Sequence, residues 1–320
     1  MYQGGSRADG RFEGWYVKCV DGDMRHPVAF IPGVSHDRRG STSHSFVQVV
    51  RPGGRTTYLE YPLEAFSFNR ERFEIRVGPN VFSAAGVTLD IDRDGIEVRG
   101  TLTFGPWRPW PVTLLQPGIM GPYRFVPRME CYHGVLSLDH SVDGVLSIDG
   151  EQAVFDGGRG YVEKDWGSSF PSSWVWAQSN HFNTPGVSVT VSAAKIPWMG
   201  GSFVGCIAGV LLGEELYRFT TYTGARLTAF ESQVGSARLT FADKDHTLEV
   251  EVTGAAPSEL KAPRHGVMIA RADESLGATV RAKLTRNQDG AVLLDDTGLH
   301  AGVEVMDRAG ELAAGVVHPR

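Results

Sequence analysis

Hydrophobic and polar residues alternate with a period of two in many short runs along this chain, and hardly any segment keeps a helical period for three turns. The clearest run is Ile96 to Phe104, where Ile96, Val98, Leu102 and Phe104 alternate with Glu97, Arg99, Thr101 and Thr103 behind an Asp94-Gly95 turn. That pattern predicts a half-buried antiparallel strand. Arg11 to Lys18, Val187 to Ala193 and Thr247 to Thr253 read the same way, and Phe203 to Leu212 is continuously apolar, as suits a strand covered on both faces. Arg-Pro-Gly-Gly at 51–54 and Gly78-Pro79-Asn80 supply turns between runs. The whole predicts about twenty short strands in an all-β protein of sandwich or barrel type.

Between Gly105 and Pro127 six prolines and three glycines break the alternation. A loop of this length in a compact protein covers a site or crosses between subdomains. It ends in a dense polar and aromatic cluster, Met129-Glu130-Cys131-Tyr132-His133-Gly134. The segment from Gly160 resembles the start of the chain, with an acid, an aromatic and a glycine leading into a Trp-bearing strand. Two β halves are therefore expected, residues 1–155 and 156–320.

Composition narrows the function classes. With 42% hydrophobic and 21% charged residues the chain is an ordinary globular one, and a net charge of -6 gives no reason to expect nucleic acid as a partner. The amino terminus has no signal-peptide pattern and no apolar run is long enough to span a bilayer, so a cytoplasmic protein without a transmembrane segment is expected. Three widely spaced cysteines, Cys19, Cys131 and Cys206, argue against a disulfide framework or a CxxC site. There is no GxSxG, HExxH or P-loop, and the histidines show no pairing at ligand spacing, so neither a metal nor a cofactor is expected.

What remains is carboxylate chemistry among aromatics, concentrated between Gly160 and Phe182. Alternation puts Tyr161, Glu163 and Asp165 on one side of a strand and Val162, Lys164 and Trp166 on the other. Two carboxylates on one face separate their pKa values, and burial beside tryptophan keeps one of them protonated at neutral pH. In the next strand Trp174, Trp176, Gln178, Asn180 and Phe182 share a face that can line an apolar cavity. Glu163, Asp165, Glu130 and His133 are the candidate catalytic residues; Glu13, Trp15, Tyr161, Lys164, Trp166, Trp174, Trp176, Gln178, Asn180 and His181 are the candidate substrate contacts. The competing reading makes the tryptophans core residues and Glu163 half of an ordinary salt bridge.

Phe12-Glu13-Gly14-Trp15-Tyr16-Val17-Lys18, the run from Gly160 to Pro171, Trp174-Val175-Trp176-Ala177-Gln178, Leu260-Lys261-Ala262-Pro263 and Gly277 to Leu284 resemble signature segments of the tocopherol cyclase family. Asp165 stands where that family often has Asn. The middle motif more distantly resembles lipocalin-like carotenoid hydratases, whose His-Asp-His is Val162-Glu163-Lys164 here. The carboxylate is kept and both histidines are absent, which singles out Glu163. The resemblance implies two lipocalin-like β halves and a cofactor-independent cyclase that protonates a prenyl alkene and closes a ring through a phenol oxygen. It implies a lipophilic substrate of quinol type and leaves room for peripheral membrane contact. A carrier of an apolar ligand, or a hydratase or other cyclase, are the alternatives. Neither the substrate nor the oligomeric state follows from the residues.

Overall fold

The computed structural model describes residues 2–316, apart from 5–9, 39, 115, 128, 199, 255–257 and 308 and the side chains of 270 and 271. The described chain is built from 22 strands in two antiparallel sheets. The first sheet holds β1 (Arg11–Val20), β2 (Val28–His36), β3 (His44–Arg51), β4 (Arg55–Tyr61), β5 (Phe66–Phe68) and β6 (Glu74–Val77). Its remaining strands are β7 (Asn80–Ser83), β8 (Gly86–Arg93), β9 (Ile96–Phe104), β10 (Cys131–Ile148), β11 (Glu151–Val154) and β12 (Gly158–Gly167). The second sheet holds β13 (Trp174–Ser179), β14 (Val187–Trp198), β15 (Gly201–Leu212), β16 (Glu215–Thr220) and β17 (Arg226–Gln233). It is completed by β18 (Ser236–Ala242), β19 (His246–Thr253), β20 (Ser258–Arg264), β21 (Val267–Arg286) and β22 (Val292–Val305).

Both sheets follow one plan. The order is β4-β3-β2-β1-β12-β10-β9-β8-β7-β6-β5 in the first, with β11 on β10, and β16-β15-β14-β13-β22-β21-β19-β18-β17 in the second, with β20 on β21. In each, the first strand pairs with the last. The edge strands, β4 and β5 or β16 and β17, are consecutive in the chain and joined by short connections that contain a single 3-10 turn, Leu63–Ala65 or Thr221–Thr223. Each sheet consequently curls around its own apolar core: Trp15, Val17, Phe30 and Val162 belong to the first, and Val175, Val191, Ala208 and Val303 to the second. A third core lies between the sheets and holds Tyr16, Tyr161, Trp174, Trp176 and Leu211. Alternation explains how one strand serves two cores, because successive side chains point to opposite faces. The continuously apolar β15 is the plainest case, with Cys206, Ala208 and Val210 in the second sheet's core and Leu211 between the sheets.

Three features depart from the sequence pattern. The expected division at residue 155 falls within the first sheet, because β12 is held between β1 and β10; the chain crosses to the second sheet at 168–173. The short apolar runs at Val135–Leu138 and Gly144–Ile148, separated by a mostly polar stretch, predict two strands, but they form one, β10, whose register shifts between Val135 and Ser137 and again before His140. Those irregularities reset the alternation without ending the strand. The same holds for β21, where register shifts near Ala278 divide the apolar pattern into two apparent strands. The proline-rich segment joins β9 to β10 within the first sheet and packs between the two sheets, with Trp110, Ile119 and Met120 in the third core. The two halves are further tied by Gln48, whose side-chain amide donates to Lys261 O at 3.0 Å and accepts from Lys261 N at 3.0 Å. Among the described residues no helix is long and apolar enough to cross a membrane.

Candidate active site between the two sheets

A cavity of about 180 Å³ opens between the sheets. Its walls are mostly apolar, with Phe12 and Tyr16 from β1, Met120 and Tyr123 from the proline-rich segment, and Trp174 and Trp176 from β13. Three carboxyls and an imidazole break that lining, Glu163, Asp165, Glu304 and His133, and Lys261 also reaches it.

Register places them. Tyr16 pairs with Glu163 and Gly14 with Asp165 across β1 and β12, while His133 on β10 pairs with Asp165 from the other side. Residues opposite one another in a ladder share a face, so Tyr16, Glu163, Asp165 and His133 are all delivered to the cavity side. On the second sheet Trp176, Glu304 and Glu274 form one row across β13, β22 and β21. The two rows meet where Tyr16 Oη donates to Glu274 Oε1 at 2.6 Å.

Glu163 is the best anchored of the acids. Its Oε2 accepts from Tyr161 Oη at 2.5 Å and from Trp176 Nε1 at 3.1 Å, and lies 3.7 Å from His133 Nε2. All three contacts fall on one oxygen. Burial lifts the Glu163 carboxyl from 4.5 to about 7; His133 and the two hydrogen bonds pull it down, and Asp165 adds to the rise. His133 Nδ1 is 2.9 Å from Asp165 Oδ1. Burial disfavours the imidazolium, but the nearby Asp165 and Glu163 outweigh it and carry His133 from 6.5 to about 9. Glu304 accepts from Trp174 Nε1 at 2.5 Å, and burial with the neighbouring Glu274 holds its carboxyl well above the ordinary range. Glu274 is also raised, to about 8, chiefly by burial. At neutral pH the site therefore favours the protonated forms of Glu274 and Glu304, holds Glu163 near its midpoint and keeps His133 as an imidazolium.

The ligating atoms of His133, Glu163 and Asp165 all lie within 4.8 Å of one another, which makes them the group that could hold a cation. The fold thus brings a histidine of β10 beside two acids of β12. Their hydrogen bonds satisfy them as an acid network, and the chemistry they support without a metal is proton donation.

The remaining sequence-selected residues divide by face. Tyr161, Trp174 and Trp176 stand at or against the cavity wall. Glu13, Trp15, Lys164 and Trp166 lie on the opposite face of β1 and β12: Lys164 Nζ is 2.6 Å from Glu13 Oε1 and sits 5.2 Å over Trp15 and 4.8 Å over Trp166. They are away from the cavity because alternation, which joined Glu13 to Trp15 and Lys164 to Trp166, does not say which face meets the second sheet. Glu130 also does not line the cavity; its carbonyl accepts from Ser168 N and Ser169 N and fixes the passage between the sheets. Gln178 and Asn180 share the face of Trp176 but lie deeper in the closed part of the interface, where Asn180 Nδ2 donates to Gly160 O at 3.0 Å. His181 lies beyond them, its ring 6.0 Å from that of His300. The sequence reading missed Tyr16, Glu274 and Glu304. Tyr16 was within reach, since it faces the same way as Gly14 and alternates with Trp15; the two glutamates lie outside the family-like segments, Glu274 just before Gly277 on β21.

The fold defines the first level of identity. The chain is similar to the crystal structure of CghA, with a TM-score of 0.55 and 11% identity over 93% of this chain and 88% of that one. It is also similar to a structure titled as a putative AttH from Nitrosomonas europaea, with a TM-score of 0.52 and 14% identity over 93% of both chains. These likenesses establish an all-β protein of two lipocalin-like halves. The family is established by the sequence: residues 82–306 match the tocopherol cyclase-like model, and the chain belongs to that family. It is 30% identical over 193 residues to a protein described as probable chloroplastic tocopherol cyclase from Oryza sativa subsp. japonica. That match covers 57% of this chain and 40% of the rice protein. The chain thus spans less than half of that relative's length.

Proposed function

We propose that the protein is a cyclase that starts its reaction by protonating an alkene, with Glu163 as the acid and a prenylated, quinol-type lipid as the substrate. The observation that carries this reading is a carboxyl near neutral pKa that is pinned through Oε2 and faces an apolar, tryptophan-lined cavity. General acids work best when their pKa lies near the operating pH. Protonation uses the alkene π pair to make a C–H bond and breaks the Glu163 O–H bond, which leaves a tertiary cation. The faces of Trp174, Trp176 and Tyr16 stabilise that cation, and the apolar wall excludes water that would trap it. The carboxylate left behind gains from Tyr161 Oη, Trp176 Nε1 and the imidazolium of His133. A phenol oxygen then forms the C–O bond and loses its proton, so that substrate and product are isomers.

Incubation with such a quinol in D2O should yield a cyclised product with one deuterium in the new C–H bond. Glu163→Gln keeps the shape of the side chain and should lower the rate by about 10²–10⁴-fold with the fold intact. A normal rate in that variant defeats the assignment, and tight binding by the wild type without conversion makes the protein a carrier.

A further inference from the structure

The closed part of the interface, behind the cavity, is unusually polar. Lys18 and Gln178 are fully buried there, and so is Glu274, which does not line the cavity. Lys18 Nζ donates to His300 O at 2.9 Å, and His300 is near the edge of the interface, beside His181. Tyr16, two residues before Lys18 on the same face of β1, stands opposite Glu163 in the ladder and donates to Glu274. Its hydroxyl occupies a gap left by Gly302: a Cβ there would come within 2.7 Å of Tyr16 Oη and 2.8 Å of the Trp176 ring. Gln178 pairs with Gly302 on one side and Thr190 on the other, and Thr190 Oγ1 is 3.2 Å from Tyr161 Oη. Glu274 Oε2 and both polar atoms of the Gln178 amide have no hydrogen-bond partner among the described residues. Buried polar atoms in that condition are where ordered water is held.

We propose that Glu274 and Tyr16, backed by Lys18 and hydrated at Gln178, form a proton relay that recharges Glu163 from the side away from the ligand. This rests on the proposed acid role of Glu163. After Glu163 has given its proton to the alkene, the Tyr16 hydroxyl passes a proton toward the Glu163 carboxylate and takes one from the neutral Glu274. Glu274 is in turn reprotonated along Lys18 and the hydrated seam, and the phenolic proton is released to solvent, so one proton enters and one leaves per cycle. The arrangement lets the acid exchange protons while the cavity stays dry. Glu274 is a relay residue and touches no substrate.

Two measurements test it. With Glu274→Gln the first turnover should proceed while steady-state turnover falls at least about tenfold, giving a burst absent from the wild type; Tyr16→Phe, which keeps the ring against Trp176, serves the exchange measurement that follows. A merely structural role would slow both phases together. Independently of any substrate, hydrogen–deuterium exchange of the Glu163 carboxylic proton, followed by infrared spectroscopy and assigned by its loss in Glu163→Gln, should slow in both variants. Steady-state rates and exchange equal to wild type overturn the relay, since the phenolic proton would then return directly to Glu163. If the wild type makes no product, the cyclase reading fails, and the infrared exchange still decides the relay.

Discussion

Strand β12 carries two buried glutamate environments on its two faces, and they behave differently. Glu13, across the ladder on the inner face, meets Lys164 at 2.6 Å within the first sheet, and both are almost wholly buried. Glu163, on the outer face, has no lysine; its neighbours are a histidine, a tyrosine, a tryptophan and other acids. Burial opposes ionisation in both places. In the first, the cation is fixed beside the acid and the pair locks the strands together. In the second, the nearest cation is the His133 imidazolium at 3.7 Å, while Asp165 and burial act against ionisation, and the carboxyl is carried to about 7. Burial raises both carboxyls, and the difference lies in their neighbours: a lysine in direct contact for Glu13, and hydrogen-bond donors, a more distant imidazolium and another acid for Glu163.

That contrast can be broken most severely at Glu13. Glu13→Gln leaves the Lys164 ammonium buried without its counter-charge and should cost about 3–5 kcal/mol in unfolding experiments, while Glu163→Gln removes activity without a comparable loss. A smaller effect is expected from Gly302→Ala, whose methyl group would press on Tyr16 and Trp176. Overpacking of this kind costs about 1–3 kcal/mol, and it should also lower activity, because it moves the residues that hold Glu163. The mildest change is Trp176→Phe. It deletes one donor to Glu163 Oε2 and should cost about 1 kcal/mol in chemical denaturation.

The same variants sharpen the comparison through pH. Glu163 donates only while protonated, so the rate should fall as pH rises through about 7. Trp176→Phe removes a group that favours the carboxylate and should move this limb to higher pH; Asp165→Asn removes a neighbour that favours the acid and should move it lower. Stability follows the same sign. A carboxyl raised in the folded state binds its proton more tightly there, so its contribution is present below 4.5 and is lost as pH climbs to about 7 for Glu163 and about 8 for Glu274. His133, raised from 6.5 to about 9, adds a loss over that later range. The melting midpoint of the wild type relative to Glu163→Gln should therefore fall between about pH 4.5 and about 7, and a relative rise over that range would contradict the protonation state assigned to Glu163.

Much of the fold was legible in the residues. Alternation in Ile96 to Phe104 and Thr247 to Thr253 identified strands that the structure contains as β9 and β19, and the breaks at glycine and proline marked turns. The segment from Gly160, which resembles the start of the chain, does not open the second half: it is β12 of the first sheet, and the second sheet starts with β13 at Trp174. The boundary was misplaced because β12 is paired by distant strands, and nothing local records a ladder partner.

The sequence by itself determined that Glu163 and Asp165 share a face and that Trp174, Trp176, Gln178 and Asn180 share another, and it pointed to an acid among tryptophans as the candidate chemistry. These follow from the two-residue repeat of a strand, which is a local property. Only the tertiary structure decided which face of β12 meets the second sheet, and so placed Lys164 inside one half and Glu163 at the cavity. It alone brought Glu274 and Glu304 from the last strands to within reach of Tyr16 and Trp174. Sheet pairing and the packing of one sheet on the other are long-range contacts, and the charge on a buried acid is set by neighbours that only those contacts supply.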